Sequence, residues 1–422
     1  MIRHLLTITL GLLACAAPEL TRAQEFFAGG DISVLQSYDD HGVAYYDQQG
    51  TRIDDVLKYM KSDAVGWNAQ RVRLFVDPAG KAPDGSADAQ VCQDLDYVAR
   101  LGSRIKAEGF AFMLDFHYSD SWADPSNQWT PAGWLALSDA ELQTRIYDYT
   151  KTCLETLVEA GATPDFIQTG NEISYGMLWG AYGAKTNRCY TSSEANWPRF
   201  TALLQQAVKA CREVCPQAKI VLHTERAGQP GVLTAIYQRL AAVDYDIIGL
   251  SYYPFWHGSL ATLAGTLDQL AKSFPDKKVQ IVETAYYYQW QPAQSSSFTD
   301  YSKTWPITPE GQASYLRALI AELKQHDNVN GLYWWFPEEN GNGPGSAVLT
   351  SWVNRGLWNN STHRAMPALY VMKEFLDRPG SGVYTIRQLT DKAWYTLGGV
   401  RLDSRPQRHG LYVSGGRKYF VN

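Results

Sequence analysis

The chain has 422 residues, of which 45% are hydrophobic and 19% charged, and its formal net charge at pH 7 is −5. This composition excludes a disordered chain, which has too few apolar residues to form a core. The weakly acidic balance argues against nucleic-acid binding, which needs basic surfaces. The charge is unevenly spread, because residues 378–422 hold eight Lys or Arg and two Asp or Glu, a net +6, which leaves −11 for the remainder.

Residues 1–23 are typical of an export signal. A basic start precedes the apolar stretch Leu5–Ala17, which is too short to span a bilayer, and cleavage is expected after Ala23. The alternative is a bacterial lipoprotein, because Leu12–Cys15 resembles a lipobox in which Cys15 carries the lipid. Both interpretations predict an extracytoplasmic bacterial protein, secreted or at the cell surface. Peripheral membrane association is expected only if Cys15 is lipidated.

The six cysteines, at positions 15, 92, 153, 189, 211 and 215, form no regular framework. One disulfide is compatible with this number, and no pairing is indicated. Cys211 and Cys215 lie four residues apart in a predicted helix, without the second Cys or His pair of a zinc site. We therefore expect them to be small buried side chains.

Short apolar runs alternate with helical periodicity through residues 24–377. The eight predicted strands are Phe26–Asp31, Arg71–Val76, Phe110–His117, Phe166–Glu172, Lys219–Glu225, Ile247–Tyr253, Val279–Ala285 and Gly331–Pro337. The clearest predicted helices are Arg52–Met60, Glu141–Ala160, Trp197–Cys215 and Pro309–Gln325. This alternation predicts an α/β fold, a (β/α)8 TIM barrel, whose active site lies at the C-terminal ends of its strands.

The basic segment 378–422 is predicted to be separate from the barrel. Pro379–Gly382 is typical of a linker, and two alternating stretches follow, Ala393–Leu402 and Gly410–Asn422. They predict a short C-terminal β-hairpin, which we interpret as a sorting or anchoring segment. The alternative is a disordered tail.

Two glutamates close predicted strands, Glu172 at strand four and Glu283 at strand seven. Two carboxylates that converge on one cleft are what hydrolysis of a glycosidic bond requires. The simpler alternative is that each glutamate caps the helix that follows it.

Several neighbours of these acids are candidate site residues. Asn171 directly precedes Glu172 and could bind the sugar hydroxyl beside the reacting carbon. Arg71 and Arg73 share one face of strand two, and we expect only one of them to reach the glutamates. The run Thr284–Tyr288, which includes Tyr286, follows Glu283 and supplies phenols that could orient its carboxylate. Either Trp334 or Trp335 could form the floor of the cleft, although core packing explains each equally well.

Four longer blocks resemble the endo-β-1,4-galactanases of glycoside hydrolase family 53, which are retaining barrel enzymes. They are Leu114–Pro125, Gly170–Ile173, Gly249–Gly258 and Val282–Tyr286, and the similarity extends from Phe27 to about Leu376. The resemblance implies that Glu172 is the acid/base, that Glu283 is the nucleophile, and that β-1,4-galactan of pectin is cut internally. It also implies that the central subsites are lined by Asn171, His117, Arg71 or Arg73, Tyr253, His257 and Trp335. We add Asp115, His223, Trp256 and Tyr286 as candidate substrate-binding residues.

The chain departs from the family pattern at strand eight. Relatives often have Tyr-Trp-Glu-Pro there, whereas this chain has Trp334-Trp-Phe-Pro337 followed by Glu338 and Glu339. Some bacterial members carry a long calcium-binding loop after that strand, whereas the loop Glu338–Ser351 is short and rich in Gly and Asn, so we predict no calcium bound there. We also predict no other metal and no cofactor. We also expect a monomer.

Three alternatives stay open from the sequence. The same carboxylates would serve another retaining β-glycosidase, such as a β-galactosidase or β-mannanase. A zinc-dependent barrel hydrolase could use His117, His223 and His257, although the first strand lacks the paired histidines of such sites. A non-catalytic glycan-binding barrel at the cell surface is the third alternative.

Overall fold

The computed structural model of the protein describes residues 25–184, 193–289, 298–346 and 354–377, with short segments between 394 and 421. The chain divides into two compact units, of which the larger is Glu25–Arg378. In the described part of the chain, no helix is long and apolar enough to cross a membrane. The predicted export segment lies outside the described residues.

Eight parallel strands of the larger unit form a closed barrel, as the alternating pattern predicts. Each strand pairs with its neighbours in chain order, and the last pairs with the first, with Phe27 opposite Gly331. The strands are β1 Phe27–Asp31, β2 Ala69–Leu74, β3 Ala111–Phe116, β4 Phe166–Thr169, β5 Lys219–Thr224, β6 Ile247–Ser251, β7 Lys278–Thr284 and β8 Val329–Trp335.

Helices lie between the strands. Several of the longer helices have an N-cap residue whose side chain accepts a hydrogen bond from the first turn. In the helix Asp139–Glu159, the Ser138 hydroxyl accepts a hydrogen bond from the Glu141 backbone N–H, and the Glu141 carboxylate accepts one from the Ser138 backbone N–H, which is a capping box. The described α-helices are α1 Leu35–Asp40, α2 Val56–Lys61, α3 Leu95–Ala107, α4 Asp139–Glu159, α5 Asn196–Val214, α6 Pro230–Arg239, α7 Pro254–His257, α8 Leu260–Ser273, α9 Pro309–Leu323 and α10 Pro367–Val371. Single 3-10 turns cover Ala132–Trp134, Ile173–Tyr175 and Met372–Leu376.

Strand periodicity builds the barrel interior in layers. A small apolar cluster that includes Ala69, Met113 and Phe166 packs together. Two residues further along β2 and β3, on the same face, come Arg71 and Asp115, which are also buried. The interior therefore changes from apolar to charged toward the C-terminal ends of the strands, where barrel active sites are built.

Two predictions of secondary structure need correction. The predicted helix Arg52–Met60 is observed as Val56–Lys61, because Arg52–Ile53 pairs with Tyr45–Tyr46 as a short antiparallel hairpin. Asp55 then accepts a hydrogen bond from the Lys58 backbone and starts the helix.

The C-terminal segment contains more strands than the single hairpin that was predicted. Four antiparallel strands form one sheet in the order β10-β9-β11-β12, where β9 is Trp394–Thr396, β10 is Arg401–Leu402, β11 is Gly410–Ser414 and β12 is Arg417–Val421. Each predicted alternating stretch thus supplies two strands rather than one. Its role in sorting or anchoring stays a prediction.

The described cysteines, Cys92, Cys153, Cys211 and Cys215, are unpaired. Cys211 and Cys215 are buried, which confirms that they pack as small apolar side chains. Cys15 and Cys189 lie outside the described residues.

Candidate active site

A cavity of about 550 Å³ opens at the C-terminal ends of the barrel strands. Ten of the thirteen candidate residues line it, namely Arg71, Arg73, His117, Asn171, Glu172, Tyr253, Trp256, His257, Glu283 and Trp335. The remaining three, Asp115, His223 and Tyr286, do not line this cavity. The cleft was therefore largely anticipated by the sequence.

Glu172 is held in the cleft by an unusual turn after β4. Gly170 has φ +95°, and a Cβ there would lie 2.6 Å from Ile173 Cγ2, so only glycine fits. Glu172 itself has φ +49°, a left-handed conformation that is costly for a residue with a side chain and is concentrated at functional sites. It precedes the turn Ile173–Tyr175 but makes no side-chain cap bond to it, so the capping interpretation is wrong for Glu172.

Glu283 lies near the end of β7, with 5% of its surface exposed. Its Oε1 is 3.1 Å from Arg71 Nη1. The Tyr253 hydroxyl donates to its Oε2 at 2.9 Å. The carboxylate is thus fixed on both oxygens by cleft residues rather than by a helix.

A single hydroxyl connects the two glutamates. Ser251 Oγ lies 2.6 Å from Glu172 Oε1 and 3.3 Å from Glu283 Oε2. These two carboxylate oxygens are therefore at most 5.9 Å apart, the sum of the two distances. A register shift between Leu250 and Ser251 sets Ser251 opposite Glu283 in the β6–β7 pair. This upper bound is compatible with the separation of about 5–5.5 Å in retaining glycosidases and lies below the roughly 6.5–9.5 Å of inverting ones.

The two carboxyl groups have different electrostatic surroundings. Burial raises the pKa of Glu172 well above its ordinary value, and the negative charges of Glu283 and Glu225 raise it further. Burial and the negative charges of Asp31 and Asp115 raise the pKa of Glu283, the Arg71 charge and the Tyr253 hydrogen bond oppose this, and the net pKa is about 7. When the pair holds one proton, the proton therefore resides on Glu172.

Arg71 is the centre of a buried charged layer beneath the cleft. It contacts Asp31 at 2.6 Å, Asp115 at 2.8 Å and the Asn171 amide oxygen at 2.8 Å, in addition to Glu283. Arg73 pairs with Asp31 instead, at 3.6 Å, which agrees with the expectation that one arginine reaches the glutamates. Asp115 is fully buried and does not line the cavity, so its expected contact with sugar needs correction.

The three histidines are held by different hydrogen bonds. His117 Nδ1 accepts from the Ala123 backbone, and His257 Nδ1 accepts from the Tyr253 backbone. His223 is completely buried between Asn171 and Ser251, so its expected contact with substrate also needs correction. Across the described ranges, no group of three or more His, Cys, Asp or Glu is arranged to hold a metal ion.

The aromatic residues divide between cleft and core. Tyr286, expected to orient Glu283, instead donates its hydroxyl to the Trp305 carbonyl at 2.8 Å and stacks on Tyr315. Tyr253 takes the expected role. Trp335 lines the cleft, whereas Trp334 is buried and donates to the Arg355 carbonyl.

The residues that depart from the family pattern at strand eight are buried. Phe336 is buried with φ +64°, and Glu338 accepts a hydrogen bond from the Val34 backbone. Glu339 accepts from the Tyr38 hydroxyl at 2.6 Å. Both acids are buried and lie outside the cleft lining.

Several residues of the site were not predicted from the sequence. Asp31, Trp122 and Glu225 line the cleft, and Ser251 bridges the glutamates. Asp31 and Glu225 carry the same signal as Glu172, an acid at a strand end. Ser251 begins the Ser-Tyr-Tyr-Pro run, but a lone serine at a strand end carries no distinctive signal.

Comparison with known proteins agrees with this geometry. Residues 27–372 match the model of glycosyl hydrolase family 53. The chain is 36% identical over 326 residues to an uncharacterized protein from the bgaB 5' region of Niallia circulans, covering 75% of this chain and 84% of that one. It is 29% identical over 342 residues to an endo-beta-1,4-galactanase of Bacillus subtilis, covering 79% and 74%. Among solved structures, the family 53 catalytic domain of Ignisphaera aggregans is 31% identical, with a TM-score of 0.69 and coverage of 83% and 96%. The chain therefore belongs to glycosyl hydrolase family 53.

Proposed function

We propose that this enzyme is an arabinogalactan endo-β-1,4-galactanase that works by double displacement with retention. The observation that carries the mechanism is the Glu172–Glu283 pair. Ser251 Oγ lies 2.6 Å from an oxygen of Glu172 and 3.3 Å from an oxygen of Glu283, so these two oxygens are at most 5.9 Å apart. The relative from Bacillus subtilis, whose name is endo-beta-1,4-galactanase, supports the substrate.

In the first step, protonated Glu172 gives its proton to the glycosidic oxygen while Glu283 attacks the anomeric carbon. The bond between that carbon and the leaving oxygen breaks, and an ester joins Glu283 to the sugar. In the second step, Glu172 takes a proton from water, whose oxygen attacks the same carbon and releases Glu283. Two inversions give net retention.

Contacts in the cleft suit these roles. Arg71 and the Tyr253 hydroxyl stabilise the ionised form of Glu283, which is the form that attacks. Burial and neighbouring negative charge keep the proton on Glu172, which is the form that donates. Asn171 lines the cleft beside Glu172 and is our candidate for binding the adjacent sugar hydroxyl.

The shape of the cleft supports internal cleavage. A second cavity of about 760 Å³ shares Glu225, Trp256 and His257 with the first, so the cleft continues past the glutamates. Trp256 is 43% exposed at this junction, where its ring could stack on a sugar. A continuous cleft accepts a polymer, whereas a closed pocket accepts a chain end.

The principal alternative is a retaining glycosidase for another β-glycan, because the carboxylates do not select the sugar. The test is product analysis on unbranched β-1,4-galactan, mannan, xylan and cellulose, with Glu172→Gln and Glu283→Gln as inactive controls. We expect rapid shortening of galactan chains alone. Intact galactan with another glycan degraded would overturn the substrate, and full activity in either Gln variant would overturn the mechanism.

We also propose that the enzyme acts outside the cell, supported by the basic and apolar pattern of residues 1–23. Detection of galactanase activity in culture medium from the native host, with the mature chain starting after Ala23, is the expected result. A lipid on Cys15 would instead identify a surface lipoprotein.

A further inference from the structure

Behind the two glutamates, a chain of buried hydrogen bonds runs from Glu172 through Ser251 and His223 to Asn171. Ser251 Oγ lies 2.6 Å from Glu172 Oε1 and 2.9 Å from His223 Nε2. His223 Nδ1 lies 2.9 Å from Asn171 Oδ1. Ser251 and His223 are both fully buried, so their side chains form hydrogen bonds within the protein rather than with bulk water.

The orientation of Asn171 determines which nitrogen of His223 carries the proton. Asn171 Nδ2 donates to the Ala123 carbonyl at 2.8 Å, and Arg71, which can only donate, contacts Oδ1 at 2.8 Å. The amide oxygen therefore faces His223, and Nδ1 must carry a hydrogen to contact it at 2.9 Å. The Glu172 backbone N–H also approaches Nδ1, at the longer distance of 3.4 Å.

Burial and the adjacent Arg71 charge lower the pKa of His223 well below its ordinary value, so the ring is neutral. With its proton on Nδ1, the neutral ring presents Nε2 as an acceptor. The hydroxyl of Ser251 then donates to Nε2. Its oxygen is left to accept from Glu172, which it can do only if Glu172 carries a proton.

We propose that His223 and Ser251 are positioning residues that keep the proton of the acid/base on Glu172. This inference rests on the proposed function, in which Glu172 is the acid. Because the neutral imidazole accepts the hydrogen bond from Ser251, that hydroxyl does not donate to ionised Glu172. The ionised form of Glu172 is therefore less stabilised, and the protonated acid is favoured.

Other charged groups surround this chain and set the background against which it acts. Those that influence Glu172 are Glu283, Glu225 and Asp124. Those that influence His223 are Arg71, Asp115, His117 and His257. None of these groups is changed in the variants below, so a shift in the pH dependence of activity reports on the hydrogen bonds of Ser251 and His223.

The test is the pH dependence of kcat/KM on β-1,4-galactan, whose basic limb reports the acid in the free enzyme. In His223→Phe, the Ser251 hydroxyl is freed to donate to ionised Glu172, so the basic limb should move to lower pH by about one pH unit. His223→Asn, which is too short to accept from Ser251, should give the same shift and serves if the Phe variant does not fold. His223→Gln offers an amide oxygen near the Nε2 position and should restore the limb.

The second arm asks whether His223 acts through Ser251. In a Ser251→Ala background, His223→Phe should no longer move the basic limb. Thr284→Val is the matched control, because its buried hydroxyl contacts Tyr315 at 2.6 Å and is one residue from Glu283. It should leave the limb where the native enzyme has it.

An unmoved limb in both His223→Phe and His223→Asn would overturn the proposal, as would an equal shift with and without Ser251. Failure of the proposed function has a different signature. In that case the native enzyme would not cut galactan, or Glu172→Gln would retain its activity.

Discussion

Arg71 Nη1 lies 3.1 Å from Glu283 Oε1, and the same guanidinium contacts Asp31 and Asp115. One buried cation is therefore shared among three carboxylates. Since burial alone would favour a protonated Glu283, this contact stabilises the ionised form that our mechanism requires. Through Arg71, the buried charges of the barrel interior thus act directly on the reacting carboxylate.

Replacing Arg71 with lysine should move the acidic limb of the kcat/KM profile to higher pH. Lysine keeps the charge but lacks the fork that reaches several carboxylates at once, so ionised Glu283 is less stabilised and its pKa rises. Arg73→Lys is the matched control on the same strand face, because Arg73 pairs with Asp31 at 3.6 Å. Equal movement of the acidic limb in both variants would contradict the assigned contact.

Tyr253→Phe should lower kcat by about tenfold to a hundredfold, because it removes a hydrogen bond to a charged carboxylate. Tyr286→Phe should leave kcat within about twofold, because that hydroxyl bonds to the Trp305 carbonyl away from the cleft. Steady-state kinetics on galactan compare the two. A larger loss in the Tyr286 variant would mean that the wrong tyrosine has been assigned.

Glu172→Gln should stabilise the protein at neutral pH while it abolishes activity. The folded-state pKa of Glu172 is above its unfolded value near 4.5, so its contribution to stability is full below that value and falls as pH rises toward the folded pKa. Each pH unit in that window costs about 1 kcal/mol for an isolated group, and coupling to Glu283 reduces this. Calorimetry should show the variant's Tm advantage growing between pH 4.5 and 7. A constant difference would argue against a raised pKa.

Trp335→Ala should raise KM for galactan about tenfold, because Trp335 lines the cleft and offers its ring to a sugar. Trp334→Phe provides the contrast. It loses a buried hydrogen bond to the Arg355 carbonyl, so Tm should fall while KM is kept. Unchanged KM in the Trp335 variant would remove that residue from the binding surface.

The barrel was predictable because its signal is repeated and local. All eight predicted strands occur, each displaced by a few residues at most, since apolar runs between turn residues reveal buried parallel strands. The failure at Arg52 has a tertiary cause, because those residues pair with Tyr45–Tyr46 instead of extending the helix. The C-terminal sheet was undercounted because turns within short alternating stretches are weak signals.

The site was predictable only in part, because sequence indicates side-chain direction inside strands but not beyond their ends or at register shifts. Residues inside strands alternate, so the shared face of Arg71 and Arg73 follows from sequence. Tyr286 lies beyond the end of β7, where alternation no longer fixes side-chain direction. Ser251 gains its place from a register shift between two strands, which no single stretch of sequence encodes.

The most direct test of the central claim is proton NMR of the first product released from β-1,4-galactan. Double displacement through Glu283 predicts that the new reducing end appears as the β-anomer and reaches equilibrium with the α-anomer only later. Initial appearance of the α-anomer would show a single displacement by water. That result would contradict the nucleophilic role of Glu283 and the retaining mechanism together.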